Sequence, residues 1–400
     1  MKSILSSPRD MPDRPDSSTL ALVAPRTSRL LPVDALRGLI IVFMALDHAN
    51  HFIAQKHSPG EMWGGPFPTY TDPLAFLTRL ITHLSAPGFF FLMGVGMFLF
   101  ANASRKQGWS EWAIVRFFLI RGGILIALKF LVVNRAWELS PGGWGISIYV
   151  GVLFALGATM ILGSLFLRLK TPYLLILAAA LFVGTELLVP AASQWGPIKL
   201  ANPMDLLNPL LIVPGRVAEI NLWCNYPALP WLELVIFGFA LGHWLVEGEQ
   251  RAYRRALLLG GAFLLAFVAL RALDGFGNIR PRMGNTWIDF LNVVKYPPSM
   301  TFTLLTMGVN LMLLSAFART GERPQPVLNV LAVLGRVPLF FYVVHLFVYA
   351  GLGWLFTPRG ASIAAMYPFW LLGLLIMYPL CLWFGRLKQR QPATSILRFF

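Results

Sequence analysis

Apolar runs of roughly 20 residues recur along almost the whole chain, separated by polar connectors that are mostly short, a period set by a lipid bilayer rather than by a globular core. Ten runs fall at about 34–54, 74–101, 112–133, 147–167, 172–190, 228–246, 254–272, 299–318, 328–356 and 367–385. Each is long enough to cross a hydrocarbon layer of about 30 Å, some with tilt. The pattern predicts an all-α fold, a polytopic membrane helix bundle of about ten transmembrane helices. Residues 1–30, with "SSPRDMPDRPDSSTL", show neither a sustained apolar stretch nor a small-residue cleavage site and read as a disordered N-terminal tail. Residues 31–390 form the membrane domain and 391–400 a short C-terminal tail.

Composition agrees: 56% of the 400 residues are hydrophobic and only 13% charged, with 31 Phe and 13 Trp. The formal charge of +15 suggests nucleic acid at first sight, but Lys and Arg stand in ones and twos at the ends of apolar runs, with no basic helix to track phosphates. That charge is topological. With ten spans, 21 Lys and Arg fall on the side of both termini and 10 on the other, so both termini are expected in the cytoplasm. Two connectors on the far side are long, 191–227 and 273–298, and the first, "LANPMDLLNPLLIVPGR", suits a short amphipathic element. They read either as lids and substrate contacts or as plain connectors. Cys224 in a connector and Cys381 in a span make a poor pair and no metal spacing. No HExxH, CxxC, Walker loop or dinucleotide fingerprint is present, so no metal is expected.

The first run, "DALRGLIIVFMALDHANHF", carries ionisable groups where lipid-facing leucines belong. Eleven residues at about 100° each bring His48 to within about 20° of Arg37, and Met44 and His51 fall near the same stripe. The rise between Arg37 and His48 is about 16 Å. Arg37 alone reads equally as a snorkelling side chain paired with Asp34, but an intramembrane imidazole is costly and marks a pathway or a site. Asp47 lies about 100° off that stripe and is better placed to orient His83 or Arg79. Counted from the same end, His83 in "TRLITHLSAPGFFFLMGVGMF" and His345 in "GRVPLFFYVVHL" reach a similar depth, so three of the six histidines converge on one layer. Pro87 is suited to opening the backbone there, and Gly94 and Gly96 to close helix packing. Arg336 lies nine residues before His345, on the opposite face unless Pro338 kinks the segment. His57 reads as a loop residue and His243 as a satisfied interfacial one; Lys129, Arg121, Glu186 and Glu233 are candidate partners for one another.

"LPVDALRGLIIVFMALDH", "FFFLMGVGMFL" and "GRVPLFFYVVHL", with "GVLFALG", "NYPALPWLELVIFGFALG" and "KYPPSMTFTLLTMG" between, resemble the transmembrane acyltransferases in order and spacing from about residue 29 to 390. That group includes bacterial O-acyltransferases of surface polysaccharides and relatives of heparan-alpha-glucosaminide N-acetyltransferase, and the look is closest to bacterial members of the second branch. The resemblance implies acetyl-CoA as a cytosolic donor and a sugar or other small acceptor at the outer face of a bacterial inner membrane. It implies an essential imidazole at His48 together with Arg37; from their depth and position on the helices, His83, His345 and Asp47 are expected around His48, and Arg336 beside Arg37 at the donor. The heparan branch instead places its essential histidine in a Lys-His context, which here is Lys56-His57, so His57 is the alternative. Expected partners are the bilayer, the donor and the acceptor; a homodimer is allowed, and nucleic acid is not expected.

Imidazole serves as base or nucleophile at neutral pH, and a forked guanidinium suits the phosphates of CoA. Two other classes fit the same residues: a transporter or proton-coupled carrier, weakened by the lack of an internal repeat, and a non-catalytic membrane scaffold. The charge asymmetry predicts that a reporter fused after Phe400 reads as cytoplasmic; an extracytoplasmic signal would overturn the topology and move Arg37 to the other side.

Overall fold

Pro32 falls in the first turn of helix α1 (Leu31–Ala49), where a missing N–H costs nothing, and the unbroken apolar run behind it carries the helix on. The helix continues through a π turn, Asn50–Ala54, and stops at Gln55 with φ of 54°. The structure, a computed structural model, describes residues 30–58, 60–319, 325–392, 395 and 397. The expected N-terminal tail and most of the C-terminal tail lie outside the described residues.

After α1 the chain returns through α2 (Pro73–Thr82), capped by the Asp72 carboxylate on the Leu74 N–H, and α3 (Ser85–Lys106). Ser110 caps α4 (Glu111–Leu128), which passes through a π turn, Lys129–Val133, into α5 (Asn134–Glu138). Strand β1 (Ile148–Val150) precedes α6 (Val152–Ser164) and α7 (Thr171–Leu188). The connector 191–227 holds the short α8 (Leu207–Leu211), β2 (Gly215–Val217) and β3 (Leu222–Cys224). Then come α9 (Ala228–Glu247), α10 (Glu249–Leu273), the short α11 (Trp287–Leu291), α12 (Met300–Ala318), α13 (Pro326–Gly335), α14 (Pro338–Phe356) and α15 (Ile363–Arg390). The three strands form one small sheet, ordered β1-β3-β2, with β1 parallel and β2 antiparallel to β3.

The fold is an all-α polytopic bundle, and among the described residues eight helices are long and apolar enough to cross a membrane. Helix α1, with Asp34, Arg37, Asp47 and His48, is not among these eight, and two other expected spans come out differently. The fourth, 147–167, begins as a strand because Ile148 to Val150 pair with Leu222 to Cys224, leaving a 13-residue helix of about 20 Å, shorter than a bilayer core. The ninth, 328–356, is two helices: Pro338 lacks the N–H that would bond back across Arg336 and Val337. A third break, at His83 and Leu84, splits the second span just before Pro87, which sits in the first turn of α3.

Helix α1 is the axis of the bundle, packed by α2, α3, α12, α13, α14 and α15. The outer helices α7, α10 and α15 turn Leu187, Leu265 and Leu375 outward at 70%, 74% and 71% exposure, the surface that lipid covers. Close approach relies on glycine at particular crossings. A Cβ on Gly38 would lie 1.9 Å from the Leu331 carbonyl oxygen, and one on Gly335 2.0 Å from that of Asp34, so α1 and α13 touch backbone to backbone. Gly94 meets the Val235 carbonyl in the same way at 2.2 Å, but Gly96, expected to pack likewise, has nothing within 4 Å and borders a cavity instead.

At the far end of α1 three connectors converge on Glu61. Its backbone carbonyl accepts the N–H groups of Lys295 and Tyr296, both at 3.0 Å, and the Tyr296 carbonyl accepts from Trp63 at 2.9 Å. The Trp63 indole in turn donates to the Pro214 carbonyl at 3.0 Å. The carboxylate of Glu61, fully buried, takes two parallel bonds of 2.7 Å from Arg79 on α2. Burial alone would raise this carboxyl, but the guanidinium beside it prevails and holds it at about 2.

Gly38→Ala is expected to cost about 1–3 kcal/mol, since a backbone carbonyl cannot yield as a side chain can, while Gly96→Ala is expected to be neutral or slightly stabilising. Thermal unfolding in one detergent compares them; equal losses would mean that α1 and α13 do not touch as described. Because the Glu61 carboxyl is depressed, its contribution is complete above its ordinary value of 4.5 and is lost as the pH falls toward 2. Glu61→Gln leaves the buried Arg79 with Asp47 as its one carboxylate partner, should destabilise by about 3–5 kcal/mol, and should flatten the acid limb of the stability curve. An unchanged acid limb would remove this pair as its cause.

Candidate active site

A cavity of about 360 Å³ runs beside α1 from one end of the bundle toward the converging connectors. Arg37, Arg121, Arg336 and Lys388 line one end, Met44, Phe89, Leu92, Met97 and Leu125 its apolar length, and Asp47, His48, Thr82, Tyr226 and Lys295 the other end. The stripe expected on α1 therefore faces one open space as far as His48. His51 departs from it. The helix widens into its π turn at Asn50, and His51 packs instead against Trp137 and Trp144, with ring centroids 4.7 and 5.6 Å away.

At the cationic end the break between α13 and α14 aims Arg336 back at α1. Asp34 receives Arg37 at 3.0 Å and Arg336 at 3.6 Å, and Arg37 also donates to the Gly335 carbonyl at 3.1 Å. The glycine crossing of α1 and α13 is what lets this group assemble. Arg121, weighed above as an ion-pair partner, lines the cavity with its buried Nε unbonded. The other three of that set also stay apart. Lys129 bonds Asn134 and covers the Tyr149 ring, Glu186 accepts the Gly277 and Ile279 N–H groups, and Glu233 accepts the Thr303 hydroxyl at 3.0 Å.

At the other end His48 Nδ1 lies 2.6 Å from His345 Nε2, and His345 Nδ1 lies 2.7 Å from the Phe341 carbonyl oxygen. The carbonyl only accepts, so His345 Nδ1 carries a proton; His345 Nε2, neutral, then accepts from His48 Nδ1. The order leaves the lone pair of His48 Nε2 unbonded in the ring that borders the cavity. Both rings are buried, and Trp137 meets His48 edge-on at 5.5 Å. His345 does not border the cavity; it reaches the layer through His48.

Asp47 binds Arg79 at 2.6 Å and accepts the Thr82 hydroxyl at 2.8 Å, while His57 Nε2 lies 2.8 Å from Arg79 Nη1 and 3.3 Å from Asp47. His83 is not brought into the cavity. It sits in the break between α2 and α3, its Nε2 4.0 Å from Glu61 and its ring against Phe302, with Nδ1 unbonded. Depth along a helix therefore placed it near the layer, and the direction of the side chain took it away. His243 is held by the Leu169 carbonyl at 3.2 Å, far from this layer. Among the described residues no group of three or more His, Cys, Asp or Glu is placed to hold a metal, and Cys224 and Cys381 are separate buried thiols.

Glu61, Tyr226 and Lys295 were not singled out from sequence. Glu61 stands four residues after His57 in "KHSPGEMW", and Lys295 opens "KYPP", where a lysine before Tyr-Pro-Pro reads as an ordinary outer-loop charge.

The arrangement joins a cationic end, an apolar passage and an imidazole with a free lone pair, a set suited to drawing a long thioester toward a base. Residues 29–274 match the family described as heparan-alpha-glucosaminide N-acetyltransferase, catalytic. Among curated proteins, the heparan-alpha-glucosaminide N-acetyltransferase of Mus musculus is 27% identical over 132 residues, 33% of this chain and 18% of that protein. That of Homo sapiens is 25% identical over 154 residues, 38% of this chain and 21% of that protein. The chain thus matches about a fifth of the length of these relatives. The family match takes in α1 through α10, with Arg37, Asp47, His48, His57, Glu61 and Arg79, and it extends over more than half of the sequence. The chain therefore belongs to the family of heparan-alpha-glucosaminide N-acetyltransferase catalytic domains.

Proposed function

We propose that this membrane protein is an acyltransferase that moves an acetyl group from acetyl-CoA to a hydroxyl or amine of a sugar-type acceptor, with His48 as general base. The observation that carries the reading is the cavity that connects four cationic side chains to the His48 ring. Arg37, Arg336 and Arg121 would hold the phosphates of CoA at the cytoplasmic end, where forked guanidinium groups match phosphate oxygens. The thioester arm would follow the apolar length past Met44. His48 Nε2 would take the acceptor's proton and later return one to the departing thiolate, while His345 and the Phe341 carbonyl keep its other nitrogen protonated. Asp47 and Arg79 hold the neighbouring wall rather than the base. The alternative base is His57, favoured by its 3.3 Å approach to Asp47, which borders the cavity; against it, the same Nε2 faces an Arg79 donor at 2.8 Å.

Purified protein in detergent should consume acetyl-CoA and acetylate an amino sugar; a carrier would instead move solute in sealed vesicles with no thioester lost. His48→Ala should retain CoA binding and lose about 10² to 10⁴ in rate, and His345→Ala should fall between it and wild type. His57→Ala should still transfer. A dead His57→Ala beside an active His48→Ala would give the chemistry to the loop imidazole.

Arg37→Ala should weaken CoA binding, and Arg37→Lys should restore it only in part, because a point charge lacks the bidentate contact. Calorimetric affinities that are equal in all three proteins would remove Arg37 from the donor site.

A further inference from the structure

The connector between α10 and α12 delivers Lys295 to the same end of the cavity as His48. The residue is only 3% exposed, and among the described residues it makes no ion pair. The two carboxylates of the neighbourhood are already engaged: Asp47 by Arg79 and Thr82, and Glu61 by Arg79 and Tyr70. Lys295 rests with its ammonium 5.0 Å from the centroid of the Tyr296 ring, and its backbone is fixed by the bond to the Glu61 carbonyl at 3.0 Å. With Arg79 between two carboxylates, Lys295 brings the formal charge of the four groups to zero without being neutralised by contact. A buried cation kept out of ion pairs at the edge of a cavity is poised for a negative charge that arrives or forms there.

We propose that Lys295 is a catalytic residue that binds the oxyanion formed when the acceptor attacks the thioester, a role that rests on the acyltransferase reading above. In that step the acceptor's oxygen or nitrogen bonds to the carbonyl carbon as its proton passes to His48 Nε2. The carbonyl π pair moves onto oxygen, where the Lys295 ammonium receives it. Collapse restores the C=O bond, breaks the C–S bond and leaves a CoA thiolate, which takes the proton back from His48. Atoms and charge balance with acetyl-CoA and acceptor alone. A preorganised donor at such an oxygen, away from water, is worth more than in solution because the protein has already met the cost of orienting it.

The test measures CoA affinity and acetyl transfer for wild type, Lys295→Met, Lys295→Arg and Lys295→Gln, with glucosamine and glucosaminuronic acid as acceptors. Thermal unfolding checks that each variant is folded; Met keeps the length of the stem and Arg keeps the charge. The expected result is unchanged CoA affinity, kcat lower by about 10² to 10³ with both acceptors in Lys295→Met and Lys295→Gln, and partial recovery in Lys295→Arg. A rise in KM confined to glucosaminuronic acid would make Lys295 a carboxylate-binding residue for the acceptor and overturn the proposal. Lost CoA affinity would make it a donor-binding cation, with the same consequence, and so would an unchanged kcat in folded Lys295→Met. A wild-type protein that binds CoA and consumes no acetyl-CoA would sink the acyltransferase reading itself before any variant is compared.

Discussion

Arg79 is buried where water cannot solvate it, and its guanidinium must therefore be satisfied by the protein itself. Two bonds go to Glu61 and one, from Nη1, to Asp47, and His57 Nε2 faces the same Nη1. The partners come from different parts of the chain: Asp47 from α1, His57 and Glu61 from the connector that follows it, and Arg79 itself from α2. Because the backbone carbonyl of Glu61 also holds Lys295 and Tyr296, the same residue fixes the connector between α10 and α12. One charged group in a dry place thus sets the positions of three segments around the end of the cavity.

The remaining polar layer is built by breaking helices. A straight ninth span would carry Arg336 and His345 on opposite faces; ending α13 at Gly335 and starting α14 at Pro338 lets Arg336 meet Asp34 while His345 meets His48. The break between α2 and α3 leaves Arg79 and Thr82 beside Asp47 and carries His83 toward Glu61. In the π turn after Ala49, His51 leaves the stripe and His48 becomes its last member along the cavity. Irregular backbone of this kind is tolerated at membrane depth where neighbouring helices cover it or where it borders a cavity.

The order of charge along the cavity fits the chemistry proposed for it. Cations gather where a phosphate-rich head would lodge, apolar side chains leave the passage without competing hydrogen bonds, and the imidazole stands where the passage meets the connectors. The family match reaches from residue 29 to 274, whereas Lys295 and Arg336, which line the cavity, and His345, which bonds His48, lie after it, so the cavity is completed by residues from beyond the matched region.

The bundle was legible in the sequence because apolar length is a one-dimensional property: a run of about 20 apolar residues has few other places to go. The Arg37 to His48 stripe was legible for a similar reason, since helical periodicity converts spacing along the chain directly into a shared face. The strand that shortened the fourth span was not, because Ile148 to Val150 read as apolar residues whether they enter lipid or pair with Leu222 to Cys224. Nor was the direction of His83, which depends on a backbone break and on Glu61, 22 residues earlier. Lys295 looked like any connector charge until Glu61 placed it beside a cavity. What the sequence determined alone was most of the membrane helices and one polar face of the first. Which ionisable groups meet was decided only by tertiary structure, because each pairing depends on hydrogen bonds between segments far apart in the chain, and local periodicity carries no information about them.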